Sequence, residues 1–554
     1  MCEPASLALA VLTTFKEVYL VCRFVYRVNV SRQNADPERR KLEQKFRYEI
    51  LFLQSLGQYF VQAGSIVDNE QDNQRWLRQI HEIVERIRLQ LADYSRIAAD
   101  EDSDYQAHSP FMNESMYDTA LIEFDLGEEL PPVPKPVSIS TKALRWFGIK
   151  ASQKVNDNLD AWKWALVEKR KFESVLVAIR DENRLLKDIL PLMSACTSRH
   201  SPMPIRMQSN TTTSHEDHGL GLATHARLRE ISSSPGVVGG FTVLSGKLHF
   251  LTPTASSPLI MGKVVNKSAH DPVLVEHKYY DQNEDLTEEE SELAHRRARQ
   301  LASLLTSAGN GGLATLAFRG LREEPTQSRH TFAFDFPTNT DTTTVPMSLY
   351  DMISSNKVDV RLNLPSRFIV AAKLAKAIAT LHSDGWVHKS LRSDSVVFFR
   401  ENLSRSLMVK NPYLVNFEYS RPQASHTKLE VDTDPERNLY RHPDRQGEPR
   451  TSFTRLHDIY SLGVVLLEIG LWQTVSSIVK EVKVPSGRQS SVNSILKQIT
   501  KRRLAHHMGP TYAEAVLSCL DDRLEHRTAD VDFPMIFHDE VIQKIDVRAL
   551  WERT

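Results

Sequence analysis

Cysteine is scarce in this chain. The four residues, Cys2, Cys22, Cys196 and Cys519, lie far apart and form no C-x-x-C pair. That excludes a disulfide framework and a cysteine zinc site, and it suits a reducing compartment. Net charge is absent as well: 69 Lys+Arg against 70 Asp+Glu leave −1, which gives no electrostatic case for nucleic acid. No apolar run is long enough for a bilayer, since the stretch 5–15 is soon interrupted by Lys16, Glu17 and Arg23. The opening Met1-Cys2-Glu3-Pro4 lacks the basic leader of a signal peptide. Together these absences predict a soluble, cytoplasmic chain, with recruitment to a membrane left open.

What is present reads as ordinary globular protein, with 41% apolar and 25% charged residues. At 554 residues the chain exceeds one compact core, so roughly two to four domains are expected. The N-terminal part has a helical period. Leu7, Val11, Phe15, Val18 and Cys22 share a face in 5–30, as do Leu42, Phe46, Ile50, Leu53 and Leu56 in 37–63. Trp76, Ile80, Ile83, Val84, Ile87, Leu91 and Tyr94 form a stripe in 72–97. Leu159, Trp162, Leu166, Val175, Leu176, Ile179 and Leu186 form another in 157–193. Long amphipathic helices with few strand signals predict an all-α bundle over 1–195. The first helix is apolar enough to enter a membrane interface if released, so residues 1–30 are the candidate lipid contact.

A stretch rich in Ser, Thr, Pro and His, 196–238, reads as a flexible linker. From 239 the pattern turns to short β runs at 241–251, 259–265, 273–279, 313–318 and 331–336. Among them Thr287-Glu288-Glu289-Glu290 is a capping box opening a helix to about 307. Helices then dominate, with an amphipathic one at 366–383 and a mostly apolar, hence buried, one at 458–471.

Several motifs stand in order. Val273-Leu274-Val275-Glu276-His277-Lys278 resembles the third-strand V-A-I-K of protein kinases, and His388-Lys389-Ser390-Leu391-Arg392-Ser393-Asp394-Ser395 resembles their catalytic loop, H-R-D-L-x-x-x-N. Asn416-Phe417-Glu418 stands where D-F-G is expected. Tyr440-Arg441-His442-Pro443-Asp444 resembles the A-P-E region, and Asp458-Ile459-Tyr460-Ser461-Leu462-Gly463 the start of a buried helix. The resemblance implies an α+β two-lobed kinase-like fold, with a small lobe over 239–345 and a large lobe over 346–554. The whole is then a multidomain chain.

The departures imply lost chemistry. Phosphoryl transfer relies on a base and on metal-held phosphates. Ser390 replaces the loop Asp, Ser395 the metal-holding Asn, and Asn416 the D-F-G Asp, while no G-x-G-x-x-G occurs where the first strands should be. No catalytic residue and no metal site are therefore expected. The resemblance leaves His388, Phe417 and Asp458 as frame-building residues, Asp458 tying down the loop backbone. It leaves Lys278 able to hold ATP without magnesium, paired with Glu289 or Glu292. Lys278, Ser390 and Asn416 are expected to line one cleft.

Glu3-Pro4-Ala5-Ser6-Leu7-Ala8-Leu9-Ala10 resembles the opening of the fungal HeLo domain of prion-inhibition and propagation proteins. Members of that family act in regulated cell death through the N-terminal helix. Bundle plus defective kinase is similar in plan to the mixed-lineage kinase-like pseudokinases. The implied function is a non-catalytic signalling protein in which a pseudokinase regulates a membrane-directed bundle, with protein partners expected and self-association open. The alternatives are an active atypical serine/threonine kinase using ATP and a plain protein-interaction scaffold.

Overall fold

The computed structural model describes residues 4–30, 37–62, 70–100, 169–197, 222–233, 240–250, 259–265, 270–280, 287–308, 313–355, 357–417, 420–423, 434–447, 449, 451–481, 492–521, 524 and 533–546. The chain divides into two compact units, Met1–Leu220 and Gly221–Thr554.

The described part of the first unit is helical: α1 (Pro4–Val30), α2 (Pro37–Gln62), α3 (Glu70–Asp100) and α4 (Lys169–Thr197). Helix α1 packs on α2 and α3, and α4 packs on the same two helices. The predicted stripes are the reason. Val11, Phe15, Val18 and Cys22 of α1 are buried with Phe46, Ile50 and Leu53 of α2, Trp76, Ile80 and Ile87 of α3, and Phe172, Ile179 and Leu186 of α4. Phe46 meets Phe172 edge to face at 5.2 Å, a favoured aromatic geometry. Polar ties fix α4 on its neighbours. The Asn183 amide donates to Glu49 Oε2 at 2.9 Å, and Arg86 grips Glu182 through two bonds of 2.9 and 2.8 Å. The part of the 157–193 stripe before Lys169, with Leu159, Trp162 and Leu166, lies outside the described residues. Among the described residues no single helix is long and apolar enough to cross a membrane.

The second unit corrects the linker expectation over 196–238. Helix α5 (Leu222–Ser233) lies inside that stretch, and Leu228 and Ile231 are buried. His225 Nδ1 sits 2.8 Å from Asp384 Oδ2, with Arg229 3.6 Å from the other oxygen. The helix is held by these buried contacts rather than by a strong intrinsic period, so its polar composition read as a tether.

Beyond it stands an antiparallel sheet of order β1-β2-β3-β5-β4. The strands are β1 (Lys247–Phe250), β2 (Ile260–Val265), β3 (His270–Tyr279), β4 (Phe318–Glu324) and β5 (Arg329–Asp335). Helix α6 (Glu288–Ala308) follows β3. Its capping box is made: the Glu290 amide donates to Thr287 Oγ1 at 3.3 Å, and the Thr287 amide to Glu290 Oε2 at 3.1 Å. One strand is displaced from expectation. The run 313–318 is largely irregular, with Ala314 at φ 51, and the ladder uses Phe318–Glu324 instead. Arg322, Glu323 and Glu324 hid that strand in the sequence.

Register assigns the faces, because opposed residues of an antiparallel pair share a face. Lys278 opposes His330, Glu276 opposes Phe332, and Leu274 opposes Phe334. His295 and Arg299 of α6 bond to His330 and Glu323, so this is the face that α6 covers. Val273, Val275 and Ala333 fill the other face with Leu244 and Val264.

Helices follow the sheet. Helix α7 (Leu349–Ser354) is capped by Ser348. Helix α8 (Leu364–Ser383) is capped by Asn363, whose side chain accepts from the Ser366 amide at 3.0 Å. Helix α9 (Arg455–Leu471) is buried along nearly its whole length. Helix α10 (Pro510–Leu520) approaches it so closely that a Cβ on Gly463 would stand 2.7 Å from Cys519 Cβ.

Candidate functional site

The loop after α8 is built on one buried acid. Asp458, in the first turn of α9, is fully buried. It accepts from the His388 amide at 2.6 Å, the Lys389 amide at 2.8 Å and His382 Nε2 at 3.1 Å. Burial alone would raise its carboxyl, but the His382 bond and the neighbouring imidazoles and His388 amide outweigh that and hold it below the usual range. Lys389 lies at φ 69, a left-handed conformation that side chains disfavour. Asp458 holds the chain there through the Lys389 amide.

A second acid holds the facing loop. Glu276, buried in β3, accepts from the Asn416 amide at 2.6 Å and from the Phe417 amide at 3.1 Å. Asn416 is also left-handed, at φ 68, which Asn tolerates better than most residues. Its side-chain amide donates to Ser390 Oγ at 2.9 Å. The Phe417 ring meets the buried His388 ring at 4.7 Å, and burial lowers that imidazole to about 4. Ser390 and Asn416 thus meet as expected, and His388, Phe417 and Asp458 surround them.

The carboxylate facing this junction is Glu276. Lys278 is half-buried one side-chain step further along the same face, in register with His330. Glu289 and Glu292, the candidate partners that the resemblance implied, are exposed near the start of α6, and Glu292 lies 3.8 Å from Arg296. Glu418 lies outside the described residues. Ser395 is fully buried and turned onto its own loop. Its hydroxyl donates to the Arg392 carbonyl at 2.7 Å and accepts from the Arg392 amide at 2.8 Å, so it has little left to offer a metal ion. Asp394 pairs with Arg392 at 3.0 Å.

Cations surround the junction. Burial first, and then the charges of Arg421, Lys278, Arg445 and Arg297, lower the Lys389 ammonium to about 7. Its Nζ sits 5.7 Å from the centre of the Phe453 ring. Arg421 is buried in the short strand Arg421–Pro422, and its guanidinium donates to the carbonyls of Pro422 at 2.9 Å and Phe453 at 3.4 Å. Burial and then Arg297 and Arg445 lower it to about 10.

A further network ties the loop to α9. Ser393 Oγ lies 2.8 Å from Tyr440 Oη, which donates to Glu468 Oε1 at 2.8 Å. The Val475 amide donates to the same oxygen at 2.7 Å. Glu468 is fully buried, and burial raises it to about 7 against those bonds.

The chemistry available is therefore restricted. Among the described residues, Glu276 and Asp458 accept from main-chain N–H groups of these loops, Asp394 pairs with Arg392, and the Ser390 hydroxyl has no hydrogen bond to an imidazole or carboxylate that could take its proton. Sequence reasoning missed Glu276 and Glu468. The signal for Glu276 was an acid directly after Val273-Leu274-Val275 and in step with Leu274, which places a charge on a covered strand face.

Two comparisons bear on this region. A family model described as a domain of unknown function (DUF7580) matches residues 273–546, which span Glu276, Ser390, Asn416 and Asp458. No curated protein matches the chain.

Replacing Glu276 by Ala leaves two amides at the loop junction without their acceptor. A loss of about 2–4 kcal/mol in unfolding free energy is expected, with Glu276→Gln losing less; chemical denaturation checks both. Glu468 gives a pH test. Its folded value is raised from 4.5 to about 7. Its contribution is thus present below about 4.5 and lost as pH rises through about 7. Relative to Glu468→Gln, the natural chain should lose on the order of 3 kcal/mol across that window and change little beyond it. Denaturant midpoints at several pH values measure the difference.

Proposed function

We propose that this chain is a non-catalytic signalling protein, in which a kinase-like unit that has lost phosphoryl transfer regulates an N-terminal helical bundle directed at membranes. One observation carries the reading: at the junction of the two loops the acids serve as anchors for main-chain amides, and a serine stands at the position of the base.

Three features support the kinase-like fold. The motifs run in order, Asp458 grips the His388 loop through two amides, and the sheet with its one helix precedes the helical part. The geometry also favours a different correspondence on β3. Val273-Leu274-Val275-Glu276 fits V-A-I-K with the acid in the lysine's place, because Glu276 is the residue that reaches the Asn416 loop. In active kinases that lysine pairs with nucleotide phosphates. A carboxylate there repels them, so this unit works by shape, as a two-state element whose balance a partner or modification shifts.

The output arm is α1. Its apolar stripe, Val11, Phe15, Val18 and Cys22, is buried against its neighbours in the bundle. Release would turn that stripe outward on a helix suited to an interface rather than to spanning. Lipid contact through residues 1–30, action in cell death or incompatibility of the HeLo kind, and a cytoplasmic resting location belong to this reading.

Purified full chain, once activated, should release dye from anionic liposomes, and the same chain lacking residues 1–30 should release little, with at least a roughly tenfold lower rate set by the lost apolar area. Leakage undiminished by the deletion contradicts the output assignment. Transfer of labelled phosphate from ATP to a substrate would instead make the chain an enzyme.

A further inference from the structure

Away from the loop junction, α6, β4 and β5 bring three metal-ligating side chains together. His295, Glu323 and His330 each offer a ligand atom, all within 4.8 Å of one another. We propose that they form a binding site for a zinc-class divalent cation, with His295 and His330 as nitrogen ligands, Glu323 as the oxygen ligand and water in the fourth position.

The two imidazoles are arranged for it. His330 Nε2 stands 2.9 Å from His295 Nδ1, so two ring nitrogens face one another with one proton between them. A zinc ion in place of that proton needs nitrogens roughly 3.3 Å apart, given Zn–N bonds of about 2.0–2.1 Å in a tetrahedron. A shift of a few tenths of an ångström supplies this. Both rings are held in orientation by Tyr280, whose ring centre lies 4.8 Å from each.

His330 is fully buried, and among the described residues its Nε2, the nitrogen that faces the cluster, has His295 Nδ1 as its hydrogen-bond partner and no backbone amide.

Glu323 is aimed by Arg299, whose guanidinium donates to its two oxygens at 2.7 and 3.1 Å. Each oxygen keeps a further lone pair, so the arginine orients the carboxylate without blocking it. Lys278, in register beside His330, and Arg299 oppose a bound cation. The Glu323 charge is therefore essential to the affinity.

A second cluster shows what a non-site looks like. His442, Asp444 and His457 also lie within that reach. There, however, His442 Nδ1 accepts from the Asp444 amide at 3.3 Å and His457 Nδ1 from the Thr454 amide at 2.7 Å. A neutral ring that accepts at Nδ1 carries its proton on Nε2 and has no lone pair left for a metal. Among the described residues no backbone amide donates to the facing nitrogens of His295 and His330.

A bound ion would join α6 to the β4–β5 hairpin. The test is titration of the full chain with zinc chloride in chelator-free buffer, read by calorimetry, with cobalt(II) substitution read by visible absorption. One ion per chain is expected, with cobalt bands of a four-coordinate site. His295→Ala and Glu323→Gln, both at partly exposed positions, should each lower zinc affinity by at least ~100-fold, the upper end of what losing a supporting bond costs. His442→Ala should leave it unchanged. Absence of binding, or one-to-one binding that survives both His295→Ala and Glu323→Gln, overturns the proposal.

Discussion

The Glu276 carboxylate, accepting from two consecutive amides at Asn416 and Phe417, is the interaction on which the centre of the second unit depends. It comes from the sheet and ends on the loop that faces Ser390. Through it β3 is joined to the chain that follows the short strand Tyr413–Leu414. Charge-assisted bonds to main-chain N–H groups are among the stronger ones a fold can make, and removing the acceptor leaves buried donors unmet. In the proposed reading the same carboxylate also disfavours a phosphate chain at this junction.

Other buried acids follow the same logic. Asp458 gathers the His388 and Lys389 amides, and Glu468 gathers Tyr440 and the Val475 amide. Asp384 receives His225 and Arg229 of α5; burial raises its carboxyl against the pull of His225 and Arg229. Burying a charge is expensive; the bonds to Asp458 outweigh that cost and hold its carboxyl low, whereas burial prevails at Asp384 and Glu468. Two non-glycine residues, Lys389 and Asn416, are held in left-handed backbone by such bonds. Glu276 and Asp458 therefore act on backbone shape.

Much of this was legible in the sequence because periodicity reports burial. The described parts of the bundle stripes, the capping box at Thr287 and the apolar helix beginning near Asp458 appear where their spacing places them. The failures have physical causes. Helix α5 is short and polar, and its place depends on Leu228, His225 and a distant Asp384, which no local pattern reveals. Strand β4 carries Arg322, Glu323 and Glu324 and so lacks the look of a strand, while the apolar residues before it are irregular. At the site, the motif resemblance put Lys278, Ser390 and Asn416 along one cleft; the Asn416 side chain bonds Ser390, and the β3 residue bonded to that loop is Glu276. The motif does not separate Glu276 from Lys278, because a shift of two along a strand keeps the same face. Only the register with β5 and the bonds to Asn416 separate Glu276 from Lys278. The cluster of His295, Glu323 and His330 joins three elements and has no sequence signature at all.

The central claim is that this junction has exchanged phosphate handling for a structural acid. Calorimetric titration of the full chain with ATP, with and without magnesium, tests it most directly. The account predicts no binding heat in either condition, with the chain's melting temperature unmoved by the nucleotide. Tight binding that needs magnesium and disappears in Lys278→Ala would contradict it, since it would put a working phosphate site where Glu276 stands.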